Sequence, residues 1–329
     1  MQKTPWSTAG TIIRDVSHET FQVSWILIKI VIPVALVVRL LECAGLLPDL
    51  AALLRPLMTL VGLPPSMALV WAITLLTNLY GGLAAFMALQ GQESLTIAQV
   101  TTLSSMMLIA HALPVELGIA HKAGVRWWLM GAIRVGGALV YGLILHGLTT
   151  WIQCWQDPIK IQLLTFPTDH SWSAWVCNQG RNILLMVVIV FMLMGIMKLL
   201  RWLKVTHLLE RMLCPLLRLL GMTPKATEMT VIGMTLGISY GGGLIIRRLQ
   251  QGDVPSRDVF NSMVLMGLCH SVIEDTLLML TLGTHVLGIL VGRVVFALCC
   301  TLVISRILKK CSLPLFSFKK GIAKSHTVR

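Results

Sequence analysis

Eight stretches of this chain, 24–44, 66–89, 95–118, 126–150, 181–203, 226–247, 258–282 and 286–308, are long, apolar and sparsely charged. A membrane-spanning helix needs roughly 20 mostly apolar residues, so the pattern predicts an all-α polytopic membrane protein. Only 12% of the residues are charged, against about 25% in soluble domains. Too little chain remains between the stretches for a soluble domain.

The chain also repeats itself. Pro56, Gly62 and Pro65 recur as Pro215, Gly221 and Pro224, and His111, Glu116 and Arg134 recur as His270, Asp275 and Arg293, each at an offset of 159. Tyr80-Gly81-Gly82 returns as Tyr240-Gly241-Gly242 at an offset of 160. One unit has been used twice. The expected organisation is a surface segment 1–23, a first repeat 24–150, an extracytoplasmic loop 151–180, a second repeat 181–308 and a basic tail 309–329. The first segment carries Lys3, Arg14, Asp15 and Glu19 without a long apolar core or a small-residue cleavage site. It is therefore expected to lie on the membrane surface rather than to be cleaved as a signal peptide.

A net charge of +13 raises nucleic acid as a partner, but the basic residues sit at segment ends rather than in a stripe. Arg306, Lys309, Lys310, Lys319, Lys320, Lys324 and Arg329 place the tail in the cytoplasm, beside anionic lipid. Arg247, Arg248 and Arg257 then fall inside, the Cys154–Asn178 loop outside, and Lys122 and Arg126 inside. Lys198, Arg201 and Lys204 fall inside only if the short amphipathic segments Leu47–Gly62 and Thr206–Gly221 cross the membrane. That solution has five crossings per half, ten in all, with both termini cytoplasmic in a bacterial inner membrane. An odd unit repeated in one chain must insert the second time upside down, as two inverted-topology five-helix repeats. Arg211 and Arg218 lie within the second short segment and make it the weakest crossing.

Of the eight cysteines, Cys154 and Cys177 share the outward loop. A disulfide could join them in an oxidising periplasm, provided that their Cβ atoms meet.

Ionisable residues inside a span are costly, about 2.5–3.5 kcal/mol for Asp, Lys or Arg at its centre. Here they come in two related clusters, Met107–Glu116 and Met266–Thr276. In an unbroken helix His270 and Glu274 share a face, whereas His111 and Glu116 converge only if Pro114 distorts the turn. Three readings stand side by side. Arg134 and Arg293 could form ion pairs with Glu116 and Asp275 across each hairpin, although buried pairs are weak devices for stability. The histidines and acids could relay protons or couple to a cation. His111, Glu116, His270, Glu274 and Asp275 could also ligate a first-row divalent metal ion.

A second constellation is Thr74, Thr77, Asn78, Tyr80, Gly81 and Gly82, echoed by Thr235, Ser239, Tyr240, Gly241, Gly242 and Gly243. Glycine pairs with hydroxyls and an amide in an apolar span favour a broken helix whose free backbone groups bind a solute. Close helix packing is the competing explanation. The candidate substrate-binding residues are Thr77, Asn78, Tyr80, Gly81, Gly82, Ser239, Tyr240, Gly241 and Gly242. No HExxH, GxSxG or phosphate-cradling glycine motif occurs, so no enzyme is expected and no catalytic residue is assigned.

The prolines around the short segments, the Tyr-Gly-Gly runs and His270-Ser-Val-Ile-Glu-Asp-Thr276 resemble the nucleoside-recognition, or Gate, domain family. That family includes concentrative nucleoside transporters, the membrane part of ferrous-iron transporters and paired sporulation membrane proteins. Two Gate-like units, roughly 24–150 and 181–308, would cover nearly the whole chain. The resemblance implies transport through broken helices at an inverted-repeat interface. With no GTPase domain before the spans, the likeness to the iron transporters is expected to be confined to the membrane fold. The expected activity is secondary transport of a small solute or ion, with a divalent metal cation preferred as substrate. A nucleoside or other polar organic solute is the alternative, and a nontransporting scaffold or sensor is the alternative from another class. Expected partners are the lipid bilayer and the solute, with homo-oligomerisation open and no nucleic acid.

Overall fold

A computed structural model describes residues 43–89, 94–159, 171–202, 205–238 and 254–311, together with Ile246 and single positions within 14–40. Most of the span expected at 24–44, the surface segment, the tail past Cys311 and Ser239–Gly242 lie outside the described residues.

The first half contains α1 (Leu47–Leu60), α2 (Met67–Leu76), α3 (Leu79–Leu89), α4 (Ile97–Ile109), α5 (Leu113–Lys122) and α6 (Trp127–Ile152). The second contains α7 (Trp172–Trp202), α8 (Val205–Leu219), α9 (Pro224–Leu236), α10 (Ser256–Leu268), α11 (Glu274–Leu280), a π-helical turn Leu287–Gly292 and α12 (Arg293–Cys311). Among the described residues four runs are long and apolar enough to cross a membrane: Ile97–Lys122, Trp127–Ile152, Trp172–Leu200 and Leu287–Ile307. The only strand pairing among the described residues is an isolated bridge between Thr96 and Pro158.

Two helices form the centre. Every residue of α4 from Val100 to Ile109 is buried, as is every residue of α10 from Asp258 to Leu268. Helices buried around their whole circumference must be enclosed by others. The surrounding helices turn apolar side chains outward, including Leu143, Leu148, Leu184, Val188 and Val303, as lipid contact demands. A Thr96–Gln99 capping box starts α4, with Gln99 N–H donating to Thr96 Oγ1 at 3.2 Å and Thr96 N–H to Gln99 Oε1 at 3.0 Å. The segment after α6 completes the cap, since Ala98 N–H donates to Trp155 O at 2.8 Å and Ile97 N–H to Asp157 O at 3.0 Å. These bonds satisfy donors that a helix start leaves open.

The expected 151–180 loop is shorter than its sequence pattern predicts, because α7 begins at Trp172. Ser171 accounts for the early start, accepting a hydrogen bond from Ala174 N–H at 3.2 Å in the manner of an N-cap. Cys177 consequently sits on helix α7. Cys154 and Cys177 are both free thiols, so the disulfide is not formed.

The short amphipathic helices α1 and α8 have 14 and 15 residues, or about 21–23 Å at 1.5 Å per residue. The hydrocarbon core is about 30 Å thick. A crossing at α1 must therefore also use the turn that follows it, where Val61 and Leu63 are buried.

Candidate cation site between two broken helices

The two central helices break at equivalent places. α4 stops at Ile109 and α5 starts at Leu113, while α10 stops at Leu268 and α11 starts at Glu274. Ala110 and Cys269 are extended, with φ/ψ of −133°/97° and −150°/95°. The residues after the histidines, Ala112 and Ser271, are left-handed at φ 47° and 45°. Each break is pinned from outside, with Ala112 N–H donating to Thr74 O at 3.1 Å and Val272 N–H to Met234 O at 2.9 Å. Non-glycine residues pay about 1–2 kcal/mol in this region, and such strain persists only where the surroundings impose it.

The breaks aim both imidazoles at one point. His111 Nδ1–H donates to Met107 O at 2.9 Å and His270 Nδ1–H to Met266 O at 2.8 Å. A carbonyl only accepts, so Nδ1 carries a proton in each ring, and in a neutral ring Nε2 then presents its lone pair. The two Nε2 atoms lie 3.1 Å apart. Glu116 Oε1 lies 3.3 Å from each of them. Two lone pairs and a carboxylate oxygen at these distances repel unless a cation, a proton or a metal ion, lies between them. A carboxylate oxygen of Asp275 and the two histidine nitrogens fall within 4.8 Å of one another.

Two buried arginines frame this point. Arg134 Nη1 lies 2.5 Å from Glu116 Oε2, close in distance although not aligned as a hydrogen bond. Its Nε donates to Ile109 O at 3.0 Å. Arg293 Nη2 donates to His270 O at 3.1 Å. Each guanidinium thus serves a carbonyl that a broken helix leaves open.

Three expectations need correcting. His270 and Glu274 do not share a helical face, because the helix is interrupted between them and His270 turns to His111 and Glu116 instead. Arg293 does not pair with Asp275 among the described ion pairs; its hydrogen bond goes to the His270 carbonyl. The two clusters are one cluster, since both histidines share Glu116. His111 and Glu116 do converge, through the left-handed Ala112 and a new helix start, with Pro114 in its first turn. Among the described residues the ligand atoms that lie within 4.8 Å of one another are those of His111, His270 and Asp275. Glu116 joins them through its 3.3 Å approaches to both histidines, and half-buried Glu274 makes no such approach among the described ion pairs.

The Tyr-Gly-Gly region divides. Helix α2 ends at Thr77 (φ −109°, ψ −95°), and Asn78 Oδ1 accepts from Gly81 N–H at 2.9 Å to cap α3. The equivalent break in the second half follows α9 at Gly237, with φ 100°. Gly81 and Gly82 themselves are helical and buried. A Cβ on Gly82 would meet Thr74 Oγ1 and approach Met107 Cε to 2.7 Å, so close packing explains that glycine. The end of α2 lies beside the histidine cluster, since Thr74 O accepts from Ala112 N–H at 3.1 Å.

Tyr141 is a residue the sequence did not single out. Its hydroxyl donates to Gly288 O at 2.6 Å, tying α6 to the π-helical turn before Arg293. A lone tyrosine within an apolar span was the available signal. His146 lies elsewhere, with Gly62, Gln99, Thr102, Thr149 and Gln156 around a cavity of about 90 Å³ near the start of α4.

Over 298 residues the chain is 32% identical to the uncharacterized membrane protein YvoD of Bacillus subtilis (strain 168), covering 88% of this chain and 93% of that protein. The chain belongs to the YvoD family. No family profile and no solved structure matches it. The unmatched remainder is too short to reach either histidine from a terminus, so both lie in the region shared with YvoD. Membership in the YvoD family agrees with the helical, multi-pass membrane character of the chain.

Proposed function

We propose that this protein is a secondary transporter of a small cation in a bacterial inner membrane, with a divalent metal ion as its preferred substrate. The observation that carries the reading is the meeting of His111 and His270 at helix breaks, with Glu116 shared between them. Broken helices meeting between repeats are the architecture through which secondary transporters bind ions. Residues this expensive within a membrane point to an ion pathway before they point to stability. The finer reading is two inverted five-helix repeats with ten crossings, both termini cytoplasmic, in a fold of the Gate type. Transport would be coupled to proton or cation binding at the same cluster.

Metal flux into proteoliposomes tests this reading. Wild-type protein should carry a divalent metal ion, and His270→Ala and Asp275→Ala at normal abundance should not. Unaltered flux in both variants would sink the assignment. The break at Thr77–Asn78 supports a nucleoside or other polar organic solute as the second reading. Thermal-shift screening against metals and nucleosides separates the two, because a ligand that binds the native state raises its melting temperature by mass action. If neither stabilises the protein and a stable partner copurifies, the scaffold reading replaces both.

A further inference from the structure

We infer that the two halves together build one four-ligand site for a first-row transition-metal ion, formed by His111, His270, Glu116 and Asp275, with Glu274 outside it. This deepens the transport reading by naming the ion class and the stoichiometry, and it rests on that reading only for the ion's role as cargo.

The geometry starts from the triangle of His111 Nε2, His270 Nε2 and Glu116 Oε1, with edges of 3.1, 3.3 and 3.3 Å. Metal–ligand bonds of about 2.0–2.1 Å at the tetrahedral angle separate neighbouring ligand atoms by about 3.3 Å. The triangle is therefore one face of a tetrahedral shell, already at the spacing an ion requires. Asp275 supplies the fourth vertex. Its ligand oxygen lies within 4.8 Å of both histidine nitrogens, close enough for an ion bound at the triangle to draw it into the shell. The Oδ2 atom of Asp275 is buried without a hydrogen-bond partner, an arrangement a protein rarely leaves standing without a use.

The surrounding contacts behave as a support for ligands. Both Nδ1–H groups are committed to the carbonyls of Met107 and Met266, which fixes tautomer and ring orientation as in known metal sites. Arg134 holds the far oxygen of Glu116, leaving Oε1 turned to the histidines. Each histidine is held within its own half, and neither half supplies both imidazoles. One ion per chain follows. Two imidazoles with two carboxylates favour zinc, iron, cobalt or manganese over magnesium and calcium, which prefer larger sets of oxygen ligands.

The test is a Co²⁺ titration of the full-length protein purified in detergent, read by visible absorption and by metal content after gel filtration. The expected result is one cobalt per chain with the intense absorption of four-coordinate cobalt. Zn²⁺ should abolish the signal, and excess Mg²⁺ or Ca²⁺ should leave it. His111→Ala and His270→Ala should each lose the ion, whereas Glu274→Gln should keep it. Two ions per chain, a weak six-coordinate spectrum, displacement by Mg²⁺, or binding that survives loss of both histidines would each overturn the site. The competition arms use wild-type protein, so the test stands even where a histidine variant fails to fold. A bound ion with no flux into proteoliposomes would retain the site and sink the transport reading. Metal-dependent flux through a protein that holds no cobalt or zinc at these residues would do the reverse.

Discussion

His111 and His270 face each other Nε2 to Nε2 at 3.1 Å across 159 residues of chain. Neither ring can turn away without giving up the hydrogen bond from its Nδ1 to the preceding helical turn. Rings held this way are aimed by the backbone breaks that carry them, at left-handed Ala112 and Ser271.

The Glu116–Arg134 pair should be a sensitive point for stability. Both partners are buried, and removing one partner of a buried pair costs about 3–5 kcal/mol because the other charge is left without compensation. Glu116→Gln should lower the thermal midpoint of the detergent-purified protein sharply. Glu116→Gln combined with Arg134→Met should recover part of that loss. Equal midpoints for wild type and Glu116→Gln would show that the pair is not formed.

The left-handed residues at the breaks make a second prediction. Ala112 has φ 47°, where glycine is free of the steric strain that a Cβ creates. Ala112→Gly should be neutral or stabilising by up to about 1 kcal/mol, while Ala112→Val should destabilise by about 1–2 kcal/mol. Thermal unfolding of the two variants checks the order. A more stable valine variant would argue for an unbroken helix.

Packing at the glycines gives a contrast within one protein. Gly82 has Thr74 and Met107 against it, whereas Gly118 has nothing within 4 Å. Gly82→Ala should destabilise by about 1–3 kcal/mol through overpacking. Gly118→Ala should gain up to about 1 kcal/mol from helix propensity. Equal melting temperatures for the two variants would contradict the close approach of α3 to α4.

Membrane sidedness tests the inversion of the repeats. Lys122 and Thr281 are equivalent positions at an offset of 159, at the ends of runs that the inverted arrangement sends to opposite faces. In a cysteine-depleted background, Lys122→Cys should react with an impermeant maleimide only from the cytoplasmic side, and Thr281→Cys only from the other. Labelling of both from one side would replace inverted repeats with parallel ones.

Much of the architecture was legible in local composition. Apolar runs mark helices wherever they stand, and Pro114 and the Asn78 region mark interruptions that the folded chain also shows. Partner choice was less legible. His270 with Glu274 and Arg293 with Asp275 were reasonable pairs for continuous helices, and both fail because the helix stops at Leu268 and resumes at Glu274. The Cys154–Cys177 pairing failed for a related reason, since Ser171 starts a helix inside what reads as a loop.

The sequence by itself determined a duplicated, helical membrane protein with histidines, acids and arginines at matching places in each half. These are consequences of composition and spacing, which act within a single segment. Only the tertiary structure decided that the two histidines share one carboxylate, that Arg293 serves a backbone carbonyl, and that Glu274 stands apart from the converging ligands. Those choices depend on two left-handed residues and on how α4 and α10 meet in the centre, where a change of one backbone angle redirects a side chain by several ångströms.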